Sequence, residues 1–200
     1  MSTTPLSVAV IGAGMAGTTH ANAWRQVGTV FDLGLPPVSI RVNNRKLSEG
    51  FYRGLGIEST AAVLQRVDKY DKVGPDVVVE LLTEQVGLSE TQARACVALA
   101  GISSEDESFV DKVRALGVTH ELLEEGLADL ASLIRIARGT EPGRVVADLR
   151  IARGLDYYTG TVYETLLLGS EKLGSVASGG RYDSLASDGR TTFPGVGYSF

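Results

Sequence analysis

The chain has 200 residues, 44% of them apolar and 22% charged, with a formal net charge of −5. That size allows one ordinary domain, or one domain with a small appendage, and enough apolar material for a packed core. The acidic balance, with no clustered Lys and Arg, excludes a generic nucleic-acid-binding surface, because neutralising phosphates needs grouped cations.

Cys96 is the only cysteine, so no intrachain disulfide can form, and its apolar neighbours suggest a buried helical thiol. His20 and His120 stand apart with no ligand spacing, so no metal site is expected. No apolar run approaches the ~20 residues of a membrane span. The start has no basic segment of the signal-peptide kind, so the expected compartment is the cytoplasm.

Leu6 to Ile11 is almost continuously apolar, as a strand buried on both faces is. Gly12-Ala13-Gly14-Met15-Ala16-Gly17 follows at once, and Thr18 to Val27 is compatible with a helix. In that strand–turn–helix setting, Gly12, Gly14 and Gly17 would give the tight turn and the close approach that a dinucleotide pyrophosphate needs. The segment resembles the opening of NAD(P)-dependent dehydrogenases of the glucose–fructose oxidoreductase type, over residues 1–38 only. Val38 to Val42 would then be a second strand, followed by Asn43-Asn44-Arg45-Lys46 where an NAD-binding unit carries an acid. On that reading Arg45 suits a 2′-phosphate, and the alternative cofactor is NADP. Pro36-Pro37 breaks the chain, which places a junction at about residues 36–39.

From Lys46 to Gly139 the pattern is helical. Leu47, Phe51 and Leu55 recur at helical spacing, and Gly54 and Gly56 end the element. Ser59 can cap a helix bearing Val63, Val67 and Tyr70, stopped by Gly74-Pro75. Asp76 to Leu82 reads equally as a helix or as a third parallel strand. Ser89 to Gln92 and Ser104 to Glu107 both match a capping box. Leu123, Leu127, Leu130, Ile134 and Ala137 form one stripe, with acids early and arginines late, and Gly139 as the stop.

After Gly143 the pattern turns to strands: Val145 to Leu149, Val162 to Leu168, a return from Leu173 to Ala177 across Gly169-Ser170-Glu171-Lys172, and Gly195 to Phe200. Between them stand Arg153-Gly154-Leu155-Asp156-Tyr157-Tyr158-Thr159-Gly160-Thr161-Val162-Tyr163-Glu164 and Ser178-Gly179-Gly180-Arg181-Tyr182-Asp183. Glycines in strands weaken them, so these mark bulges or a backbone that must come close to something. Arg and paired Tyr beside them suit a small anionic or zwitterionic ligand.

These two runs closely resemble the two histidine-specific signatures of histidyl-tRNA synthetases, which are class II aminoacyl-tRNA synthetases. The likeness extends from about Ser39 through RVNNRKLSEGFYRGLGI to FPGVGYSF. The resemblance implies condensation of histidine with ATP (with Mg2+) to an adenylate, followed by transfer to the tRNA 3′ end. By the same resemblance Arg153 contacts the α-phosphate as the catalytic residue, and Tyr157, Tyr158, Gly179, Gly180, Arg181 and Tyr182 bind the substrate. Adjacent strand residues point to opposite faces, so Tyr157 and Tyr158 can share a pocket only if the backbone there is irregular.

The expected fold class is α+β. It comprises a partial class II synthetase-like, mainly antiparallel sheet, with a helical insertion at about 58–140, signature strands at about 145–200, and a Rossmann-like βα unit at 1–38. Leu6–Ile11 would dock on the exposed edge of that sheet. The general class II motifs, one of them for dimerisation, are not found beside the signatures. The expectation is therefore a histidine–tRNA ligase fragment with no useful aminoacylation alone; homodimerisation is compatible with the family, and tRNA contact lacks a basic patch. The alternatives are an NADP-binding oxidoreductase unit and a non-catalytic, histidine-binding regulatory relative.

Overall fold

The computed structural model describes residues 37–140, 142–152, 157–185 and 187–199. All of them belong to the second of the chain's two compact units, Pro37–Phe200. The expected strand Leu6–Ile11, Gly12, Gly14 and Gly17, and Arg153 lie outside the described residues.

In chain order the elements are β1 (Val38–Asn44), α1 (Arg45–Gly54), α2 (Thr60–Val67), α3 (Tyr70–Val73), α4 (Pro75–Val86), α5 (Glu90–Ala100), β2 (Ser103–Ser104), α6 (Phe109–Arg114) and α7 (Glu121–Thr140). Then come β3 (Val145–Asp148), β4 (Thr161–Leu167), β5 (Ser175–Tyr182) and β6 (Gly195–Ser199). Among the described residues the strands form one six-stranded sheet in the order β2-β3-β1-β4-β5-β6. Only β1 and β3 pair in parallel; every other pair is antiparallel, so the α+β expectation holds. No described helix is long and apolar enough to cross a membrane.

The undecided stretch Asp76 to Leu82 lies in α4. Pro75 sits in the first turn of that helix, where its missing N–H is not needed, and Gly87 ends it in the left-handed conformation. Of the two expected capping boxes one forms. Ser89 accepts from the Gln92 N–H while the Gln92 side chain accepts from the Ser89 N–H. Ser104 instead lies in β2, and its hydroxyl donates to Asp106, 2.9 Å away. Leu173 is no strand residue: Glu171–Leu173 is a short 3-10 turn, and the return strand begins at Ser175.

The core lies between one sheet face and the helices. Its fully buried side chains include Leu47, Phe51 and Tyr52 of α1, Leu82 of α4, and Leu123, Leu127, Leu130 and Ile134 of α7. Cys96 is buried there too, and burial pushes its thiol up to about 12, which leaves it inert at neutral pH. Helices α1 and α7 meet backbone to backbone. A Cβ on Gly126 would fall on the Leu47 backbone, and one on Gly50 on the backbone of Leu122 and Leu123. Close approach, then, explains a glycine inside α7, a position that disfavours the helix by about 1 kcal/mol relative to Ala.

Candidate active site at the signature end of the sheet

Strand register sorts the residues into two faces. Val42 lies opposite Tyr163, and Tyr163 opposite Gly179, on the face packed by the helices. Arg41 lies opposite Glu164, and Val162 opposite Gly180, on the other face, which also carries Asp148.

The junction of β1 and α1 shapes the entry to the first signature. The Asn44 side chain caps α1 by accepting from the Lys46 N–H at 2.9 Å. Buried Asn43 donates to the Ile151 carbonyl at 2.8 Å and to the Ser48 hydroxyl at 3.1 Å. Arg45, 7% exposed, donates from Nη1 to the Ala152 carbonyl at 2.9 Å. The two side chains thus hold the backbone of 151–152, immediately before position 153. This corrects the NADP reading. Arg45 opens a helix after a strand of a mixed sheet and is buried against protein backbone, where it cannot meet a ribose phosphate.

Past that entry, Asp148 is a buried carboxylate held between two guanidiniums. Arg41 Nη1 lies 2.6 Å from Oδ2, and Arg150 reaches both oxygens, at 2.9 and 2.7 Å. Arg150 also bonds Asp71 of α3 at 2.8 Å, tying the helices to the sheet. Burial alone would raise the Asp148 pKa, but the bonds and charge of Arg150, with the charge of Arg41, outweigh it and hold the carboxyl below its usual range. The bond to Asp148 raises the Arg150 pKa in turn. A cavity of about 1040 Å³ opens here, lined by Arg41, Tyr70, Asp148, Arg150, Glu164 and Leu166 among others.

On the same face, Tyr158 forms a small buried cluster with Ile151 and Val162. Tyr157 and Tyr158 lie in irregular backbone before β4, with ring centroids 4.5 Å apart, so the two phenols sit together. Tyr157 is 37% exposed and Tyr158 6%. The Tyr182 ring stands edge-on to Tyr157 at 6.3 Å. Gly180 is needed for this contact: a Cβ there would lie 2.7 Å from Cδ1 of Tyr158 and 2.8 Å from the Thr161 carbonyl.

The helix-facing side of the same strands is built differently. Gly179 has its close neighbours there, the Gly197 carbonyl and the Tyr163 hydroxyl, and that hydroxyl donates to Gly197 O at 2.8 Å. Tyr163 stacks on Tyr198 at 5.5 Å, and burial, with Tyr198 and Tyr158 nearby, pushes its phenol up to about 12. Arg181 also points to this side. It lines a cavity of about 620 Å³ with Lys46, Asp129, Leu133, Thr159 and Asp183.

The structure therefore brings Tyr157, Tyr158, Gly180 and Tyr182 together and sets Gly179 and Arg181 behind them. Sequence reasoning passed over Asn43, Asp148 and Arg150. For Asn43 and Asp148 the signal was a polar residue inside a strand otherwise rich in Val, Ile or Ala; Arg150, in the turn after β3, carried none. Among the described residues no group of three or more His, Cys, Asp or Glu side chains could hold a metal ion.

The histidine–tRNA ligase of Cutibacterium acnes is 62% identical over 168 residues, and that of Micrococcus luteus 63% over 170; each match covers 84% of this chain. The chain spans 37% of the length of these relatives. The crystal structure of histidyl-tRNA synthetase from Nostoc sp. PCC 7120 superimposes with a TM-score of 0.75 at 34% identity, covering 90% of this chain and 44% of that one. The family model for histidyl-tRNA synthetase matches residues 25–200, which takes in both signatures, the buried Asn43–Arg45 bracket and every strand of the sheet, and the chain belongs to that family.

Proposed function

We propose that this chain carries the histidine-recognition end of a histidyl-tRNA synthetase catalytic domain. The reaction it serves joins histidine to ATP, with release of pyrophosphate, and then passes the histidyl group to the tRNA 3′ end. The chain spans 37% of its relatives' length, and within that reaction its residues are assigned the holding of histidine.

The observation that carries the reading is the phenol cluster of Tyr157, Tyr158 and Tyr182 packed over the bare backbone of Gly180. Apolar ring faces with polar tips fit an imidazole, which is itself flat, half apolar and hydrogen-bonding. Arg153, four residues before Tyr157, is assigned by resemblance to the α-phosphate, where a fixed guanidinium would stabilise charge growing on phosphorus. ATP would enter with Mg2+ on its phosphates. The bracket of Asn43 and Arg45 on the 151–152 backbone supports that role by fixing the chain just upstream.

Titration calorimetry of histidine into the protein tests the reading. Saturable binding is expected, absent for lysine, and weakened at least about tenfold in Tyr158→Ala, as when a buried aromatic anchor is truncated. No histidine binding, or equal binding by the variant, would refute it.

A further inference from the structure

The residues of the second signature alternate across the sheet, and Arg181 stands on the side away from Tyr157 and Tyr158. Its contacts say what it does there. Arg181 Nε donates to Asp183 Oδ1 at 2.9 Å, and the Thr159 hydroxyl donates to Asp183 Oδ2 at 2.7 Å. The Thr159 N–H donates to the Arg181 carbonyl, also at 2.9 Å. The aliphatic stem of Arg181 lies over Gly160, where a Cβ would come 3.1 Å from Cδ. On the far side of Gly160, its carbonyl accepts from the Arg45 N–H at 2.8 Å.

The short path Tyr158-Thr159-Gly160 is thus gripped at consecutive points: a ring on Gly180, a hydroxyl and an amide on the end of β5, and a carbonyl on α1. We infer that Arg181 and Asp183 are positioning residues rather than substrate contacts: with Thr159 they form a clasp on the helix-facing side that sets Tyr157 and Tyr158 on the other.

Asp183 is the centre of the clasp, accepting one bond on each oxygen. The Thr159 bond, then that of Arg181, hold its carboxyl below the ordinary range. With one oxygen given to each donor, removing either loosens the same turn. The geometry therefore predicts coupled, not additive, effects. A guanidinium that touched the ligand directly would act independently of Thr159.

This inference deepens the histidine-binding proposal and rests on it only in its ligand-binding arm. The test uses the full chain carrying 3-fluorotyrosine, with Arg181→Met, Asp183→Asn and Thr159→Val singly and in pairs, and Arg181→Lys as the conservative variant. Fluorine spectra of the ligand-free protein are expected to show Tyr157 and Tyr158 displaced in all three single variants, with Tyr52 of the core unmoved, and partial return in Arg181→Lys. Histidine affinity is expected to fall about tenfold in each single variant and little further in the pairs, as groups sharing one bonded unit behave.

Unmoved Tyr157 and Tyr158 resonances in the single variants would overturn the clasp whether or not histidine binds. So would an affinity loss confined to Arg181→Met, or one that adds to the loss in Thr159→Val. If the wild-type chain binds no histidine, the binding proposal fails and the fluorine spectra alone decide the clasp. Thr159→Val, the mildest change, keeps the test open if Arg181→Met does not fold.

Discussion

The helical layer and the signature end of the sheet are made of similar residues put to opposite use. In the helical layer glycine lets two helices touch, at Gly50 and Gly126, and large apolar side chains fill everything around them. At the signature end glycine also permits close approach, but what comes close is a tyrosine ring or a carbonyl, and the local cluster holds three buried side chains, Ile151, Tyr158 and Val162. Leu185, Phe193, Val196 and Tyr198, in the same C-terminal stretch of the chain, stay exposed. One region is organised to be stable, the other to present side chains at fixed places on a thin support. Stability and presentation should therefore respond to different substitutions.

The largest effect should come where the two regions are tied together. Asp148→Asn takes the buried counter-charge from Arg41 and leaves Arg150 with Asp71 alone. Both guanidiniums are partly exposed, so unfolding free energy should fall by about 3 kcal/mol, the low end for a broken buried pair. Urea denaturation measures this, and a loss under 1 kcal/mol would mean the bridge is not a tie.

Next is Gly126→Ala, which must push α7 off α1 and should destabilise by about 1–3 kcal/mol despite the better helix former. Its histidine affinity should scarcely change, whereas Gly180→Ala should do the reverse. That substitution displaces the Tyr158 ring at a site with little core, for about 1 kcal/mol of stability but most of the binding. Equal effects of the two alanines on binding would erase the distinction.

Acid offers a gentler probe. Asp148 and Asp183 both have folded pKa values below their unfolded ones. Their contributions are therefore fully present above the ordinary carboxylate range near ~4 and are lost as pH falls through the lowered folded values. Thermal melts from pH 6 down to 3 should hold steady at first and then fall, and Asp148→Asn should flatten part of that fall. Smallest of all should be Arg135→Ala on α7. Its partner is Glu107, but the pair is exposed, and such pairs are worth about 0–1 kcal/mol.

Much of this was legible in the residues. The α7 stripe, the Ser89 cap, the mixed α+β order and the irregular backbone at the paired tyrosines all follow from spacing and glycine placement. Asp76 to Leu82 was not, because a short apolar run has the same composition in either state and is decided by its neighbours: Pro75 and Gly87 favour a helix there. Arg45 misled because a cation after a strand looks the same in a nucleotide-binding turn and in a strand–helix corner. Only the distance to the Ala152 carbonyl separates them. Arg181 stands in one sequence run with Gly180 and Tyr182, yet a regular strand sends it to the other face. Buried polar brackets such as Asn43 on Ile151 join residues 108 positions apart, and no local pattern carries that information.

The central claim is that the signature end, and not the helical layer, receives histidine. Hydrogen–deuterium exchange with and without saturating histidine tests it most directly. Slower exchange is expected in peptides covering 157–161 and 178–183, with α4 and α5 unchanged. Slowing confined to the helices, or none in either signature peptide at saturation, would contradict it.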